Sequence, residues 1–510
     1  MALNDVIFVK GQGGLGRPLT GEDHYSGILF YTQNSNLPSG FSTTDRIKTI
    51  TSVEDAENNG ILNDYSDATP ATATYQVTSE GDAGDKLKLV ATEPFGKVAN
   101  LGTYTRLSSD NTVDLVASAL ATMINNGTPT HGYSATVSTD TVTITFPKKL
   151  GSYPNTGTPL TVTITGDITG TLTLTGNGYH SRLAIWHYHI SEFFRIQPKG
   201  ILYVGLFDYP STWDFAEIKT MQDFANGKIR QVAVYTKWRT FSSYGTQDIQ
   251  AIDAQIKNYC DGEHAPLSAL YTAKMLDITD LTDLPDLQTY TANKCSVVIS
   301  QDVKGQGGFL YQTSNMSIST IGATLGAVAL ATVSQDIAWK AKFNMSNGAE
   351  CDTVGFANGQ SFNEVSTNLV SLLNDRKYIF MVKNVGSSGS YHNDSHTAIN
   401  SASDYAYIEN NRTIDKAIRG AYSSLLPEIA SPIQLNTDGT MSDITIAHLT
   451  SVCAPNLDQM VRDGDLSNYS VTINPAQDVL STSKVIISIA LLPKGVARYI
   501  QVNIGFVTNL

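Results

Sequence analysis

Between residues 71 and 178 the chain changes its period. The stretch DTVTITF at 140–146 alternates strictly, with Val142, Ile144 and Phe146 on one side and threonines on the other. PLTVTITG at 159–166 and GTLTLTG at 170–176 repeat the habit. Side chains of a strand point to opposite faces with period two, so such runs read as half-buried strands. One helical stretch, TVDLVASALATMINNG at 112–127, interrupts them. The block is rich in Thr and Gly and low in charge, and reads as a compact β-rich unit with its own core. It sits inside a chain of another kind.

On either side strands alternate with helices. HYSGILFYT at 24–32 is a strand, and the region 43–61 reads as a short helix ending near Gly60. After 178, SRLAIWHYHISEFFRI is a helix, followed by a strand at 201–207, a helix over 211–226 and a strand at 231–236. Ile249, Ile252, Ile256 and Tyr259 line one side of a helix at 246–259. Strands follow at 267–272 and 296–300, then the apolar helix IGATLGAVALATV from Ile321, a helix at 363–374 and a strand at 378–382. This order predicts a largely parallel α/β layer. The last section holds a helix at 411–426, a broken one near 444–461, and three strands at 469–474, 484–492 and 498–506. That reads as an α+β unit ending in a hairpin.

The charge balance is acidic, with 34 basic against 47 acidic residues and a net charge of −13. A nucleic-acid surface needs clustered Lys and Arg, so direct nucleic-acid binding is not expected. The four cysteines, Cys260, Cys295, Cys351 and Cys453, have no short spacing among them, which fits a reduced compartment and neither a disulfide framework nor a zinc site. No basic region followed by a long apolar run opens the sequence, so no signal peptide is expected. The window from Ile321 is too short to span a bilayer, so no membrane insertion is expected.

VKGQGG occurs twice, at 9–14 and 303–308. In the first copy Gly11, Gly13 and Gly16 match the dinucleotide pattern, but Arg17, Pro18 and Gly21 follow where a helix must begin. The second copy lacks the pattern. Both are read as flexible connectors leaving a strand, and no cofactor is implied. His187 and His189 stand at i and i+2 of a helix and cannot share a metal there. His392 and His396 lie in a Gly- and Ser-rich loop, and Ser390, His392 and Asp394 are too close in sequence to align as nucleophile, base and orienter. No catalytic and no metal residues are assigned.

The two ends are informative. RYIQVNIGF places Ile500, Val502, Ile504 and Phe506 on one face. A strand this regular must pair, within its own domain or elsewhere. Val6, Ile7, Phe8 and Val9 form a short strand followed by Gly11, Gly13, Gly14 and Gly16, a flexible spacer. Two strand-forming ends, one on a tether, suit strand addition to neighbouring subunits.

SKVIISIALLPKGVARYIQVNIGF at 483–506 resembles the C-terminal module of the contractile-tail sheath proteins of bacteriophages: apolar strand, Pro-x-Gly turn, second strand ending in Ile-Gly-Phe. SDYAYIENNRTIDKAIRGAYSSLLPEI at 403–429, with Asn411, Arg412, Asp415 and Lys416, resembles that family's helix. GLGRPLTGEDHYSGILFY at 14–31 is similar to the branch in phages of Bacteroidetes-type hosts. The resemblance implies an α/β and α+β multidomain sheath core with an inserted β-rich, Thr-rich outer domain and extended terminal arms. Its parts would be an arm at 1–20, the α/β core at 21–70 and 179–400, the outer domain at 71–178, the α+β domain at 401–497 and a terminal strand at 498–510. The block 71–178 would stand outside the shared core. The implied function is non-enzymatic: stacked hexameric rings around a tail tube, contracting to drive the tube through the host envelope. Implied partners are other copies of the chain, the tail tube protein, and baseplate and tail terminator proteins. The implied location is the virion, after assembly in the host cytoplasm. The sheath of a phage-derived injection system is the alternative, and a decorating or receptor-binding virion protein is another.

Overall fold

The computed structural model describes residues 21–506, so Val6, Ile7, Phe8, Val9, Gly11, Gly13, Gly14 and Gly16 lie outside the described residues. The architecture is mixed α/β with several sheets. The central sheet has seven strands in the order Tyr378–Ile379, Cys295–Val298, Ser268–Lys274, Gln231–Thr240, Tyr25–Tyr31, Ile201–Phe207, Ile47–Ile50. Neighbours are parallel except for Ile47–Ile50, which runs antiparallel at one edge. Strands covered on both faces need apolar residues at consecutive positions. Ile28 and Phe30 accordingly pack on one face, with helices Arg182–Ile196 and Ile321–Leu330. Leu29 and Tyr31 pack on the other, with Glu217–Phe224 and Phe241–Gln255.

The apolar helix from Ile321 is a core helix, and its small residues have a steric cause. A Cβ on Gly322 would lie 2.2 Å from the His189 carbonyl oxygen, and one on Gly326 2.8 Å from that of Phe193. The two helix backbones approach to a distance that only glycine allows.

Several elements differ from expectation. Residues 43–61 contain the edge strand Ile47–Ile50 before the helix Val53–Asn58. The helix expected over 211–226 is confined to Glu217–Phe224. The helix Phe241–Gln255 passes into a π turn, Ile256–Asp261, which rotates the register so that Cys260 is buried and Tyr259 exposed. The broken C-terminal helix is continuous from Asp443 to Arg462 despite Pro455, its inward face held by Leu449, Cys453, Leu457 and Met460. Tertiary packing there outweighs the local cost of proline. The four cysteines are free and buried.

The Thr-rich block carries two further sheets. One is ordered Ser134–Ser138, Thr141–Thr145, Thr72–Ser79, Thr169–Gly176, and the other Lys97–Thr105, Lys86–Glu93, Leu160–Thr165. Helix Val113–His131 packs against them, and Tyr75, Leu89, Leu120, Ile124 and Ile144 belong to a core cluster separate from those of the central sheet. Val142, Ile144 and Phe146 are buried as their alternation requires. Ile164 and Leu174 are half-exposed because each lies on an edge strand. The chain enters and leaves side by side, with Thr69 N–H donating to the Tyr179 carbonyl at 3.1 Å and Tyr179 N–H to that of Thr69 at 2.9 Å. Ser152 N–H reaches the Thr313 carbonyl at 2.7 Å, and Phe95 N–H reaches Gln312 Oε1 at 3.0 Å.

Candidate functional site

The C-terminal section consists of helices Ile408–Leu425 and Asp443–Arg462 with a two-stranded antiparallel hairpin, Leu466–Ile473 paired to Ile487–Pro493. The first helix is a polar joint. Asn411 Nδ2 donates to the carbonyls of Tyr405 at 2.8 Å and Tyr407 at 3.0 Å, while its Oδ1 accepts from Asn293 at 2.9 Å. Arg412 donates to the carbonyls of Ala331, Thr332 and Asp23. Asp415 meets Lys294 at 2.7 Å, and Lys416 meets Asp23 at 2.6 Å and Asp465 at 2.7 Å. Burial pushes the Asp415 carboxyl up while Lys294 opposes it. At Asp23 burial also pushes upward, but Lys416 and Arg412 outweigh it and hold that carboxyl below its ordinary range. One helix thus fixes both the C-terminal section and the start of the described chain onto the central sheet.

Arg498 is a second anchor. Its Nε donates to Asp394 at 2.9 Å, its Nη2 pairs with Glu409 and lies 3.3 Å from Asp336, and the guanidinium sits 3.5 Å from the ring centre of Tyr407. Burial pushes Asp336 up to about 7, helped by Glu409 and Asp394 and opposed by Arg498. Burial works against the Arg498 cation too, but Glu409 and Asp394 more than compensate.

Beyond this anchor residues 499–506 form no strand. Ile500, Val502, Ile504 and Phe506 are 76%, 69%, 92% and 109% exposed. The pairing of residues 498–506 within their own domain is therefore absent among the described residues. Among the described residues the hairpin's outer edges are open as well, since each of its strands pairs only with the other. Beside it, Ile414, Ala417, Ile418 and Ala421 of the helix face Ile489 and Leu491 across a groove of about 480 Å³. Unpaired edges with apolar flanks are templates for a further strand. Arg498 itself escaped sequence reading. Its partners come from three separate segments, and only the tertiary fold gathers them.

The second VKGQGG is not a flexible connector. It leads from strand Ser300–Asp302 straight into helix Gln306–Ser314, with Gly307 and Gly308 in the first turn. The place where a phosphate would sit is filled by the chain's own carboxylates. Asp302 accepts from Gly305 N–H at 3.0 Å, and Glu350 accepts from Gln306 N–H at 3.0 Å. Burial pushes Asp302 up to about 7, with Glu350 adding to the rise.

The histidines do not gather either. His187 bonds Glu57 at 2.9 Å, while burial pushes His189 down to about 3. Ser390 Oγ donates to the Cys351 carbonyl, His392 meets Thr324, and Asp394 is taken by Arg498, so the three neighbours diverge. Among the described residues no group of three or more His, Cys, Asp or Glu could hold a metal ion, and no helix is long and apolar enough to cross a membrane.

No curated protein matches the chain. Similar solved structures include the helical sheath of the anti-feeding prophage in the contracted state, at 16% identity and TM-score 0.44, covering 63% of this chain and 81% of that one. Another is the sheath complex of the extracellular contractile injection system PVC in the contracted state, at 14% identity and TM-score 0.42, covering 64% and 80%. A third is the sheath tail protein of Listeria innocua, at 10% identity and TM-score 0.38, covering 94% and 96%. At such identities no residue role passes from those proteins to this one. The DUF2586 N-terminal domain matches residues 79–396 and the DUF2586 C-terminal domain residues 404–510, and the chain belongs to the DUF2586 family.

Proposed function

We propose that this protein is a sheath subunit of a contractile machine, the tail of a bacteriophage or an injection system derived from one. The observation that carries the reading is the C-terminal sheet, incomplete among the described residues: a hairpin open on both edges, and a tail that is anchored at Arg498 and then runs exposed with apolar residues at alternate positions. Such a tail gains order only by pairing with another chain, because a lone strand in water is marginal. The resemblance of residues 403–429 and 483–506 to sheath proteins points to a second copy as that chain. In this reading Ile500, Val502, Ile504 and Phe506 extend a neighbour's hairpin. Val6, Ile7, Phe8 and Val9 do the same from the other end, with Gly11, Gly13, Gly14 and Gly16 as the hinge. Main-chain bonds hold the subunits together while the linkers absorb movement, as a change between two packings requires. Rings of six around a tube, contact with tube, baseplate and terminator proteins, and residence in the assembled particle follow from the same resemblance. The C-terminal section would face the tube and the Thr-rich unit would face outward. The family match begins at residue 79, so its span overlaps the Thr-rich unit.

Purified protein at high concentration should form rings or tubes under negative stain. A strict monomer at every concentration and salt would overturn the reading.

A further inference from the structure

A crevice lies at the carboxyl ends of the central strands, where the chain order reverses. From Tyr25–Tyr31 the chain returns on one side at Ile201–Phe207, and then crosses to the other side at Gln231–Thr240. Open α/β sheets bind ligands outside such a switch point. Thr32, Gln33 and Asn36 follow the first strand, Tyr209 follows the second, Trp238 lies near the end of the third, and Arg182 opens the helix Arg182–Ile196 that leads into the second. Together they line about 370 Å³.

Among the described residues Thr32 Oγ1, which lines the crevice, has no partner, and neither do two buried groups beside its Trp238 wall, Lys237 Nζ and His180 Nε2. Thr32 is 1% exposed and Lys237 3%. The Lys237 ammonium lies 5.3 Å from the Trp238 ring centre and 6.0 Å from that of Trp186. The nearby carboxylate, Asp67, is already engaged. It accepts from Ser181 Oγ, from Arg182 N–H at 2.9 Å and from Leu183 N–H at 3.3 Å, and lies 3.4 Å from Arg182 Nε. Buried polar groups are nearly always paired, and an unpaired buried ammonium is among the costliest exceptions. Asp208, the other carboxylate beside Tyr209, accepts from the Tyr209 N–H at 2.9 Å, so neither carboxylate bonds the Lys237 ammonium.

We propose that this crevice binds a small tetrahedral oxyanion, of the phosphate or sulfate type, free or as the head of a small organic molecule. Its oxygens accept from the Lys237 ammonium, the Arg182 guanidinium and the Thr32 hydroxyl, three donors on separate elements rather than one planar fork. Tyr209 and Trp238 supply aromatic walls for an organic remainder. The electrostatics agree. Burial, helped by Arg182, holds Lys237 down at about 7, so a bound anion draws a proton onto it, and burial leaves His180 neutral at about 3. This site is independent of the sheath reading and shares no residue with the C-terminal section.

The test is calorimetric titration of the full-length protein with sulfate, at ionic strength balanced by chloride, backed by tryptophan fluorescence. Sulfate keeps its charge across neutral pH, so a change in affinity reports on the protein. The expected result is saturable one-to-one binding that weakens as pH rises from about 6 to about 8.5, because Lys237 loses its charge. Lys237→Met should bind at least about tenfold more weakly and lose that pH dependence. Thr32→Val, which breaks no existing hydrogen bond, should weaken binding a few-fold with the fold intact. Absence of saturable binding by sulfate and by inorganic phosphate would overturn the proposal. So would unchanged affinity in both variants, or in Thr32→Val alone if Lys237→Met did not fold.

Discussion

The seven-stranded sheet and the C-terminal hairpin solve the same problem to different degrees. In the first, both faces are covered by helices and the edges end in the very short strand Tyr378–Ile379 and the antiparallel strand Ile47–Ile50. In the second, two strands stand alone, their core limited to small clusters around Leu457, Met460 and Leu466 and around Met441, Leu449 and Ile473. A two-stranded hairpin is at best marginal by itself. The difference separates a sheet that is covered and closed off from one whose edges stand open among the described residues. Substitutions in the body should act on stability, and substitutions in the tail on assembly.

The joint between the regions should give the largest effect. Lys294→Ala leaves Asp415 buried without its cation and should cost about 3–5 kcal/mol in urea unfolding, with loss of the C-terminal section's order. A loss below about 1 kcal/mol would mean that the two regions are held by other contacts. Next comes the body. Gly326→Val drives a side chain into the Phe193 carbonyl and should cost about 1–3 kcal/mol without altering the exposed tail.

A smaller, pH-dependent effect tests the carboxylates at the second glycine motif. Burial raises the Asp302 carboxyl, so the folded state binds a proton that the unfolded state has released. Wild-type stability should therefore fall as pH rises from about 4 to about 7. Asp302→Asn mimics the protonated form and keeps a donor toward Glu350. It should gain about 1–2 kcal/mol above pH 7 and little at pH 5, read from thermal unfolding across pH. An equal gain at both values would remove titration from the account.

Much of the body was legible because its physics is local. YSGILFY and QVAVYT are apolar at consecutive positions, as two-faced burial requires, and DTVTITF alternates as one-faced burial requires. What local pattern could not carry was register and partnership. Tyr259 has helical spacing with Ile252 and Ile256, yet a π turn moves it to solvent. Gly307 and Gly308 look like a loop, yet Gln306–Ser314 is a helix, because Asp302 and Glu350, distant in sequence, satisfy its first amides. RYIQVNIGF has a strand's alternation but no partner among the described residues, and Val502 and Ile504 are exposed. The candidate site was legible as apolar rhythm. The Arg498 cluster that anchors it was not, because Asp336, Asp394 and Glu409 converge only in the fold.

The smallest change in stability should accompany the greatest change in assembly. Replacing Val502 and Ile504 with Asp should leave unfolding free energy within about 0.5 kcal/mol of wild type, since both side chains are exposed. The decisive measurement is negative-stain microscopy of that double variant beside the wild type and a variant lacking residues 2–12, at matched high concentration. The account predicts rings or tubes from the wild type and only folded, dispersed monomers from the two variants. Tubes of normal length from both variants would contradict it.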